Sequence, residues 1–342
     1  MNDVLTPVLA QLSRRVDPAA ADIEAALAEI LEGRVGDVQA AGFAVALRTK
    51  GETVDELVAL VRTMLRYATL IDDMPSNAID TCGTGGDRSG SINVSTLATI
   101  VAVGAGATVV KHGNRAASSR CGSADVLEAL GVPIELGPDS IRRCVDHARV
   151  AFCFAPKFHP ALRFLGPARR ELAIPTTFNY LGPLLNPARV TRQVVGVSDP
   201  AMAERMLAVL AANGATHAMV VHGDDGLDEL TLTTTSTIQR LRDGEIVAET
   251  VDPTALGLTR CVPGDLAGGD ADTNAAVIRG VLDGAGGPAR DVAVLNAAAA
   301  LVVAGLADDL AQGVTRAAAA IDDGRAASAL ARWIEIANEV AD

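Results

Sequence analysis

The chain has 342 residues, 49% hydrophobic and 21% charged, which is the composition of a folded protein with room for two domains. Its formal net charge of −13 argues against a general nucleic-acid binder, and no apolar run is long enough to span a membrane. The cysteines at 82, 121, 144, 153 and 261 include no C-x-x-C pair, which predicts reduced, buried thiols in a cytoplasmic protein.

Residues 1–75 carry apolar side chains at helical spacing and are predicted to form only helices. Asp17, followed by a proline, predicts a cap with proline at the first position of a helix. A third helix is predicted to close at Gly51, and Thr53 with Glu56 predicts a capping box at the start of the next. We interpret this region as a small bundle used for packing or for a dimer contact.

From residue 78 onward, predicted strands alternate with predicted helices, which indicates the α/β class. The predicted strands are 78–81, 108–111, 150–154, 192–197 and 217–222. The helices predicted between them are 95–105, 123–130, 139–148 and 200–213. A hairpin is predicted over 230–235 and 245–250, with its turn at Asp243 and Gly244. From residue 271 to the end, three or four Ala-rich helices are predicted, and the alanines at 297–300 indicate close helix packing.

A glycine-rich turn at residues 83–87 lies between the first of these strands and its helix. Glycines leave backbone N–H groups exposed and allow positive φ, and Ser95 and Thr96 lie where the helix needs its N-cap. These features predict an anion cradle, with phosphate as its expected ligand. Arg88 replaces the third glycine of a dinucleotide fingerprint, and the turn has no P-loop lysine. A tight turn that binds nothing is the alternative.

A second stretch of the same kind covers residues 111–131. A strand ends at Lys111, a polar loop follows, and Ser123 is predicted to cap the next helix. Residues 111–170 contain ten Lys and Arg but only five Asp and Glu, a local positive region in an acidic chain. Two cradles predict a ligand with phosphates at both ends, whereas clustering on solvated helices is the alternative.

A helix predicted to begin at Pro160 carries Arg163, Arg169 and Arg170. A guanidinium there could bind a carboxylate through two hydrogen bonds. At least one of these arginines is expected to be only a surface residue.

An acidic loop at residues 224–229 contains four carboxylates, which would be merely solvated in an ordinary turn. Beside a polyphosphate site, however, adjacent carboxylates suit magnesium, and Asp228 with Glu229 is the pair that we favour. The histidines form no H-E-x-x-H pair and no G-x-S-x-G elbow is present, so neither zinc nor a serine nucleophile is expected. His112 is either a polar neighbour of the ligand or a satisfied histidine at a strand end.

Four stretches, residues 80–96, 111–131, 158–187 and 222–233, resemble in order the anthranilate phosphoribosyltransferase family. The resemblance implies transfer of phosphoribose from phosphoribosyl diphosphate to the amine of anthranilate on the route to tryptophan, with Mg²⁺ and a homodimer. It also implies a small helical domain, 1–75, completed by about 170–190. The larger α/β domain would comprise 76–169 and 191–342, with a central mixed sheet flanked by helices as in nucleoside phosphorylases.

The resemblance also implies site residues, motif by motif. Those for phosphoribosyl diphosphate are Gly83, Gly86, Asp87, Ser91, Asn93, Val94, Ser95, Thr96, Lys111, His112, Gly113, Asn114, Arg115, Ala116, Ala117, Ser118, Ser119 and Ser123. Gly83, Asn114 and Arg169 would bind anthranilate, with Arg169 on the carboxylate. Ser95, Asp228 and Glu229 would ligate Mg²⁺. No residue is expected to act as a catalytic acid or base, because the aryl amine has a free lone pair at neutral pH.

The sequence departs from the family pattern at Pro175, where members often carry arginine, so any contact from that arginine is absent. Two other functions stay open at this point. One is a pyrimidine nucleoside phosphorylase of the same fold, and the other is a non-catalytic relative that binds nucleic acid.

Overall fold

The computed structural model describes residues 2–116 and 120–341. The N-terminal region is helical, as predicted. Its helices are α1 (Leu5–Leu12), α2 (Ala20–Leu31), α3 (Asp37–Lys50) and α4 (Val54–Arg66). The capping box before α4 is confirmed, because the Thr53 hydroxyl accepts from the Glu56 N–H and the Glu56 carboxylate accepts from the Thr53 N–H. The predicted cap at Asp17 is wrong: α2 begins at Ala20, and the Asp17 carboxylate instead accepts from Lys50 Nζ at 2.5 Å.

One seven-stranded mixed sheet forms the centre of the remaining chain. The strands are β1 (Ile79–Gly83), β2 (Val109–Gly113), β3 (Val150–Phe154), β4 (Arg192–Gly196), β5 (His217–Gly223), β6 (Ser236–Arg242) and β7 (Glu245–Val251). Their order is β3-β2-β1-β4-β5-β6-β7; the first five are mutually parallel, while β6 and β7 run antiparallel to their neighbours. The five strands predicted before residue 225 are therefore all present.

The predicted hairpin is correct in its second arm and its turn, but wrong in its first arm. Asp243 and Gly244 both have positive φ, +50° and +88°, as a tight two-residue hairpin turn requires. Residues 230–235 are not a strand, and β6 begins after them. The threonines of this segment use their hydroxyl groups locally, since Thr231 Oγ1 donates to the Asp225 carboxylate at 2.7 Å. Side-chain bonds of this kind compete with a strand ladder.

Helices cover both faces of the sheet. They are α5 (Val94–Gly104), α6 (Ser123–Leu130), α7 (Pro138–Ala148), α8 (Ala155–Phe158), α9 (Gly166–Leu172), α10 (Phe178–Leu181), α11 (Ala203–Ala212), α12 (Ala271–Leu282), α13 (Pro288–Val303), α14 (Leu310–Asp322) and α15 (Arg325–Glu339). The alanines at 297–300 are fully buried where α13 packs on α5 and α14, as predicted. Across the described residues, none of these helices has both the length and the apolar character needed to cross a bilayer.

Two hydrophobic cores lie on opposite faces of the sheet. Helices α5, α6, α7 and α12 to α15 form one, and α1 to α4 with α11 form the other. The segment 165–185 packs into the second core together with the N-terminal helices. The domain limits at 75, 170 and 190 stay a prediction, because the sheet is shared by both cores.

The cysteine prediction is correct for three of the five positions. Cys121, Cys144 and Cys153 are buried, whereas Cys82 and Cys261 are only half-buried. No disulfide joins the five, which all lie within the described ranges.

Candidate active site

The glycine turn lies in a crevice at the carboxyl ends of β1 and β4. The two strands are parallel neighbours, and Gly83 at the end of β1 is paired with Gly196 at the end of β4. The chain leaves β1 towards α5 on one face of the sheet and leaves β4 towards α11 on the other. Such a switch in direction opens a ligand crevice at the strand ends.

Asp228 packs against the ends of both strands and requires glycine on each. A Cβ on Gly83 would overlap the Asp228 carboxylate, and a Cβ on Gly196 would overlap the Asp228 carbonyl oxygen. The carboxylate also accepts a hydrogen bond from the Gly85 N–H at 2.7 Å. The turn is thus held by a residue more than 140 positions later in the chain.

The turn itself uses a left-handed backbone. Gly85, Gly86 and Gly90 have φ of +65°, +81° and +65°, which glycine adopts without strain. The Ser198 hydroxyl donates to the Gly85 carbonyl at 3.0 Å. The backbone of the turn is therefore held before any ligand binds, with the Thr84 N–H donating to the Gly196 carbonyl at 2.9 Å and the Gly85 N–H donating to Asp228.

A short strap of residues 266–268 holds the second half of the loop. The Ile92 N–H donates to the Leu266 carbonyl at 2.9 Å, and the Gly268 N–H donates to the Gly90 carbonyl at 2.8 Å. A Cβ on Gly268 would lie 2.6 Å from the Ser91 carbonyl oxygen, so this approach also needs glycine.

The start of α5 differs from the prediction. Its N-cap is Asn93 rather than Ser95 or Thr96, and Asn93 makes no capping hydrogen bond to the helix. The Asn93 amide instead accepts from Asn274 Nδ2 at 2.8 Å and donates to the Cys121 carbonyl at 3.2 Å. Thr96 is fully buried. Asn93 therefore does not occupy the N–H groups of the first turn; the Val94 N–H donates to the Ile92 carbonyl at 2.8 Å, and the Ser95 N–H is directed at the Glu229 carboxylate.

Lys111 is a buried cation beneath this helix start. Its side chain is fully covered, and its ammonium donates to the Thr81 carbonyl and, at 3.2 Å, to the Ser95 hydroxyl. Asp80 lies in the same buried layer, where its carboxylate accepts from the His112 N–H at 3.0 Å. Burial raises the pKa of Asp80, and the Lys111 charge partly offsets this rise. Lys111 thereby ties β1 and β2 to α5.

Three carboxylates converge above Lys111. Burial first, and then the charge of Asp87, raise the pKa of Asp228. Burial first, and then the charge of Asp228, raise the pKa of Glu229, while Lys111 and the Ser95 N–H act in the opposite direction. The carboxylates therefore repel one another more than the single lysine compensates.

This donor set fits magnesium. No group of three His, Cys, Asp or Glu side chains in the described ranges could form an all-protein metal cage. Mg²⁺ does not need one, since it usually takes one or two carboxylates and completes its shell with waters and phosphate oxygens. Ser95, Asp228 and Glu229 offer two carboxylates and a hydroxyl beside a predicted phosphate cradle, and a divalent cation would relieve the repulsion between the carboxylates.

Because the pKa of Glu229 is raised in the folded protein, its ionisation opposes folding, and that cost grows as the pH rises above 4.5. We therefore expect metal-free Glu229→Gln to be at least as stable as the parent at pH 8, with the difference shrinking towards pH 5. The midpoint of thermal unfolding at both pH values measures this. A variant less stable than the parent at pH 8 would contradict it.

The second predicted cradle is built differently from the prediction. Ser123 is the first residue of α6, and the N-cap is Gly122. The Asp125 carboxylate accepts from the Gly122 N–H at 2.8 Å and from the Ala116 N–H at 3.1 Å, so a protein carboxylate already lies at this helix start. Ala117, Ser118 and Ser119 lie outside the described residues.

Arg115 faces α6 rather than the glycine turn. Its guanidinium pairs with Asp125 at 3.0 Å and with Glu128 at 2.5 Å, and both bonds raise its pKa. Asn114 is exposed, and its side-chain oxygen accepts from the Arg115 N–H at 2.7 Å. In this conformation the Arg115 side chain is engaged in ion pairs within the protein.

His112 is buried at the end of β2. Its Nδ1 bonds to the Gly182 carbonyl at 3.1 Å, and the centroids of the His112 and His159 rings lie 5.2 Å apart in an edge-to-face arrangement. Burial lowers the pKa of His112 to about 3, so the ring is neutral at physiological pH. Its Nε2 has no hydrogen-bond partner within the described part of the chain.

The predicted arginine helix is broken into two pieces. Residues 160–164 form a 3₁₀ helix, and α9 begins only afterwards, so the three arginines do not lie on one continuous helix. Arg163 and Arg170 are exposed, whereas Arg169 is half-buried and burial lowers its pKa. The Arg169 guanidinium makes no hydrogen bond or ion pair with any described residue. It is an unpaired cation in a partly dry position, which favours an anionic ligand.

Contacts thus join Asp87, Ser95, Lys111, Asp228 and Glu229 into one group, whereas no hydrogen bond links Asn114 or Arg169 to it within the described ranges. Sequence reasoning assigned no role to Gly196, Gly268, Asn274 or Asn296. The sequence did contain a signal for Asn296, which is a lone asparagine in an apolar helix. A buried amide needs hydrogen-bond partners, so such a residue indicates a specific polar contact.

Known protein families resemble this chain over most of its length. The family model described as "Glycosyl transferase family, helical bundle domain" matches residues 6–68, and "Glycosyl transferase family, a/b domain" matches residues 75–327. The anthranilate phosphoribosyltransferase of Salinispora arenicola is 47% identical over 341 residues, covering 97% of this chain and 96% of the relative.

Two solved structures are also similar. The anthranilate phosphoribosyltransferase of Thermus thermophilus has a TM-score of 0.90 and 38% identity, covering 96% of this chain and 99% of its own. That of Saccharomyces cerevisiae, in complex with PRPP and Mg, has a TM-score of 0.91 and 25% identity, covering 99% of both chains. The chain therefore belongs to the anthranilate phosphoribosyltransferase family.

Proposed function

We propose that this enzyme transfers the phosphoribosyl group from 5-phosphoribosyl 1-diphosphate to the amine of anthranilate. The products are N-(5-phosphoribosyl)anthranilate and diphosphate, in tryptophan biosynthesis. The observation that carries the proposal is the meeting of the glycine turn, the start of α5 and the Asp228–Glu229 pair at the ends of β1 and β4. The yeast relative in complex with PRPP and Mg supports the ligand and the metal.

The residues divide into three groups by their proposed role. The diphosphate end lies on Gly83, Gly86, Asp87, Ser91, Asn93, Val94, Ser95 and Thr96. The ribose and its 5-phosphate bind to residues Lys111 through Ser119 and to Ser123. Arg115 contributes only its backbone, because its side chain pairs with Asp125 and Glu128 on α6. Gly83, Asn114 and Arg169 bind anthranilate.

Catalysis requires that diphosphate leave the anomeric carbon, whereas the aryl amine needs no base. Ser95, Asp228 and Glu229 would hold Mg²⁺, which when bound neutralises charge that develops on the leaving group. The bonds of Thr84 and Gly85 hold the turn in place in advance, so the Gly86 and Asp87 N–H groups, which have no acceptor among the described residues, can stabilise the same charge with little reorganisation. Lys111 holds the Ser95 hydroxyl in place from below.

We also propose that the enzyme is a cytoplasmic homodimer. The family resemblance supports the dimer. The absence of a cysteine pair supports the compartment.

The direct test is the loss of anthranilate fluorescence on mixing the protein with anthranilate, phosphoribosyl diphosphate and Mg²⁺. We expect fluorescence to fall only when all components are present and to stop falling after chelation of the metal. Unchanged fluorescence in the complete mixture would refute the proposal. Phosphorolysis of thymidine or uridine would instead assign the chain to the phosphorylases, and a gel shift that survives moderate salt would indicate nucleic-acid binding.

Gly196→Ala tests the packing of Asp228. The added Cβ would overlap the Asp228 carbonyl oxygen, so Asp228 must move away from the turn. A displacement of about 1 Å can cost roughly 10²-fold in rate, and we expect a loss of that order in kcat/KM for phosphoribosyl diphosphate. Gly280→Ala is the control, because no atom lies within 4 Å of the Cβ added there. Parental activity in Gly196→Ala would show that Asp228 does not need this position.

A further inference from the structure

The backbone that carries Asp228 and Glu229 lies outside every strand, between β5 and β6. The next residue, Leu230, is fully buried. Buried backbone groups outside regular structure must find other partners. Both backbone polar groups of Leu230 bond to the side-chain amide of Asn296. The Leu230 N–H donates to Asn296 Oδ1 at 2.9 Å, and the Leu230 carbonyl accepts from Asn296 Nδ2 at 2.9 Å.

Asn296 is well placed to act as a fixed support. It lies in α13 with 4% of its surface exposed, and the helix residues around it, Leu295 and the alanines at 297–300, are buried. Its Nδ2 also donates to the Val292 carbonyl at 2.9 Å. The three hydrogen bonds together determine which end of the amide is the oxygen, and they hold the amide in one orientation.

The other end of the carboxylate pair is fixed independently. Asp228 packs its carbonyl on Gly196 and bonds its carboxylate to the Gly85 N–H. Glu229 therefore lies between two fixed neighbours. Asp228 is held by β4 and the glycine turn, and Leu230 is held by α13.

We propose that Asn296 is a positioning residue that sets the direction of the Asp228 and Glu229 carboxylates towards the metal and the diphosphate. The proposal rests on the proposed function and deepens it. Asn296 contacts neither substrate nor metal; it acts through Leu230. Loss of its amide leaves two buried backbone groups without partners, and the segment must shift to reach others.

Partners in the outer shell of a metal site typically contribute 10–100-fold to metal affinity or activity. In Asn296→Ala, the Mg²⁺ concentration that half-saturates the reaction should therefore rise about 10-fold or more, and kcat should fall, while KM for anthranilate stays unchanged. A second readout needs no turnover: phosphoribosyl diphosphate should raise the midpoint of thermal unfolding, and the Mg²⁺ needed for half of that rise should increase by a similar factor.

Leu301→Ala is the matched control, since Leu301 is a fully buried residue of the same helix that makes no hydrogen bond to residues 228–230. It should lower the thermal midpoint without changing either Mg²⁺ requirement. Asn296→Asp is the second variant; it keeps an acceptor for the Leu230 N–H but removes both donors, and should also raise the Mg²⁺ requirement.

An unchanged Mg²⁺ requirement in a folded Asn296→Ala or Asn296→Asp protein would overturn the proposal. An equal rise in the Mg²⁺ requirement of Leu301→Ala would also overturn it. If both Asn296 variants fail to fold while Leu301→Ala folds, the proposal is likewise overturned, because Asn296 would then serve stability alone. Failure of the parent protein to respond to phosphoribosyl diphosphate and Mg²⁺ would instead contradict the proposed function.

Discussion

Alanine at Asp228 or Glu229 should lower turnover and the response to Mg²⁺ together, by about 10²–10³-fold in kcat, which is the scale for losing one group that stabilises a leaving or developing anion. The physical reason is the local charge. These carboxylates converge with Asp87 over a single buried ammonium, and their raised pKa values reflect burial and mutual repulsion. A group of this kind stabilises the fold poorly by itself but binds a divalent cation well.

The two positions should differ in one respect. Asp228 also accepts the hydrogen bond from the Gly85 N–H, so Asp228→Ala releases the glycine turn and should weaken binding of phosphoribosyl diphosphate in addition. Glu229→Ala should mainly affect kcat and the metal requirement.

Steady-state rates measured over a range of Mg²⁺ concentrations check both statements. Asp224→Ala is the matched control from the same acidic loop, because Asp224 is exposed and bonds to Thr237 rather than to the turn. If Asp228→Ala and Glu229→Ala respond to Mg²⁺ as the parent does, the metal assignment is wrong.

Arg169→Ala should raise the KM for anthranilate by about 10- to 150-fold, because a hydrogen-bonded contact to a charged group is worth about 1.5–3 kcal/mol. Arg169 is half-buried, its pKa is lowered by burial, and no described residue pairs with it. A guanidinium without a partner among the described residues is available to a ligand, and its planar fork matches a carboxylate.

Arg170→Ala is the control, since the neighbouring guanidinium is exposed. It should leave both KM values within about twofold, as a solvated charge contributes little. Arg169→Lys should recover only part of the loss, because it keeps the charge but not the fork. An Arg169→Ala defect confined to phosphoribosyl diphosphate would contradict the role in anthranilate binding.

Several features that depend on local sequence were predicted correctly, although the helix caps at Asp17, Ser95 and Ser123 were not. The five parallel strands, the capping box of Thr53 and Glu56 and the glycine turn at 83–87 each depend on residues a few positions apart, whose conformational preferences are intrinsic. The preference for Asp228 and Glu229 also came from the sequence, since their adjacency is a local property.

Tertiary contacts decided the rest. Arg115 has a phosphate-binding composition around it, yet Asp125 and Glu128 on α6 occupy its guanidinium. Residues 230–235 have the composition of a strand, yet Asp225 competes for their hydroxyl groups. In both places a side chain has a stronger partner than the pattern alone could identify.

The sequence by itself therefore determined the fold class, the family and the chemistry that this protein offers: a glycine turn, helix starts and paired carboxylates. Only the tertiary structure decided how these parts are held, through the packing of Asp228 on Gly196 and the amide of Asn296 on Leu230. The physical reason is that such contacts join distant segments, and buried backbone groups take whichever partner the packed core brings within hydrogen-bond distance.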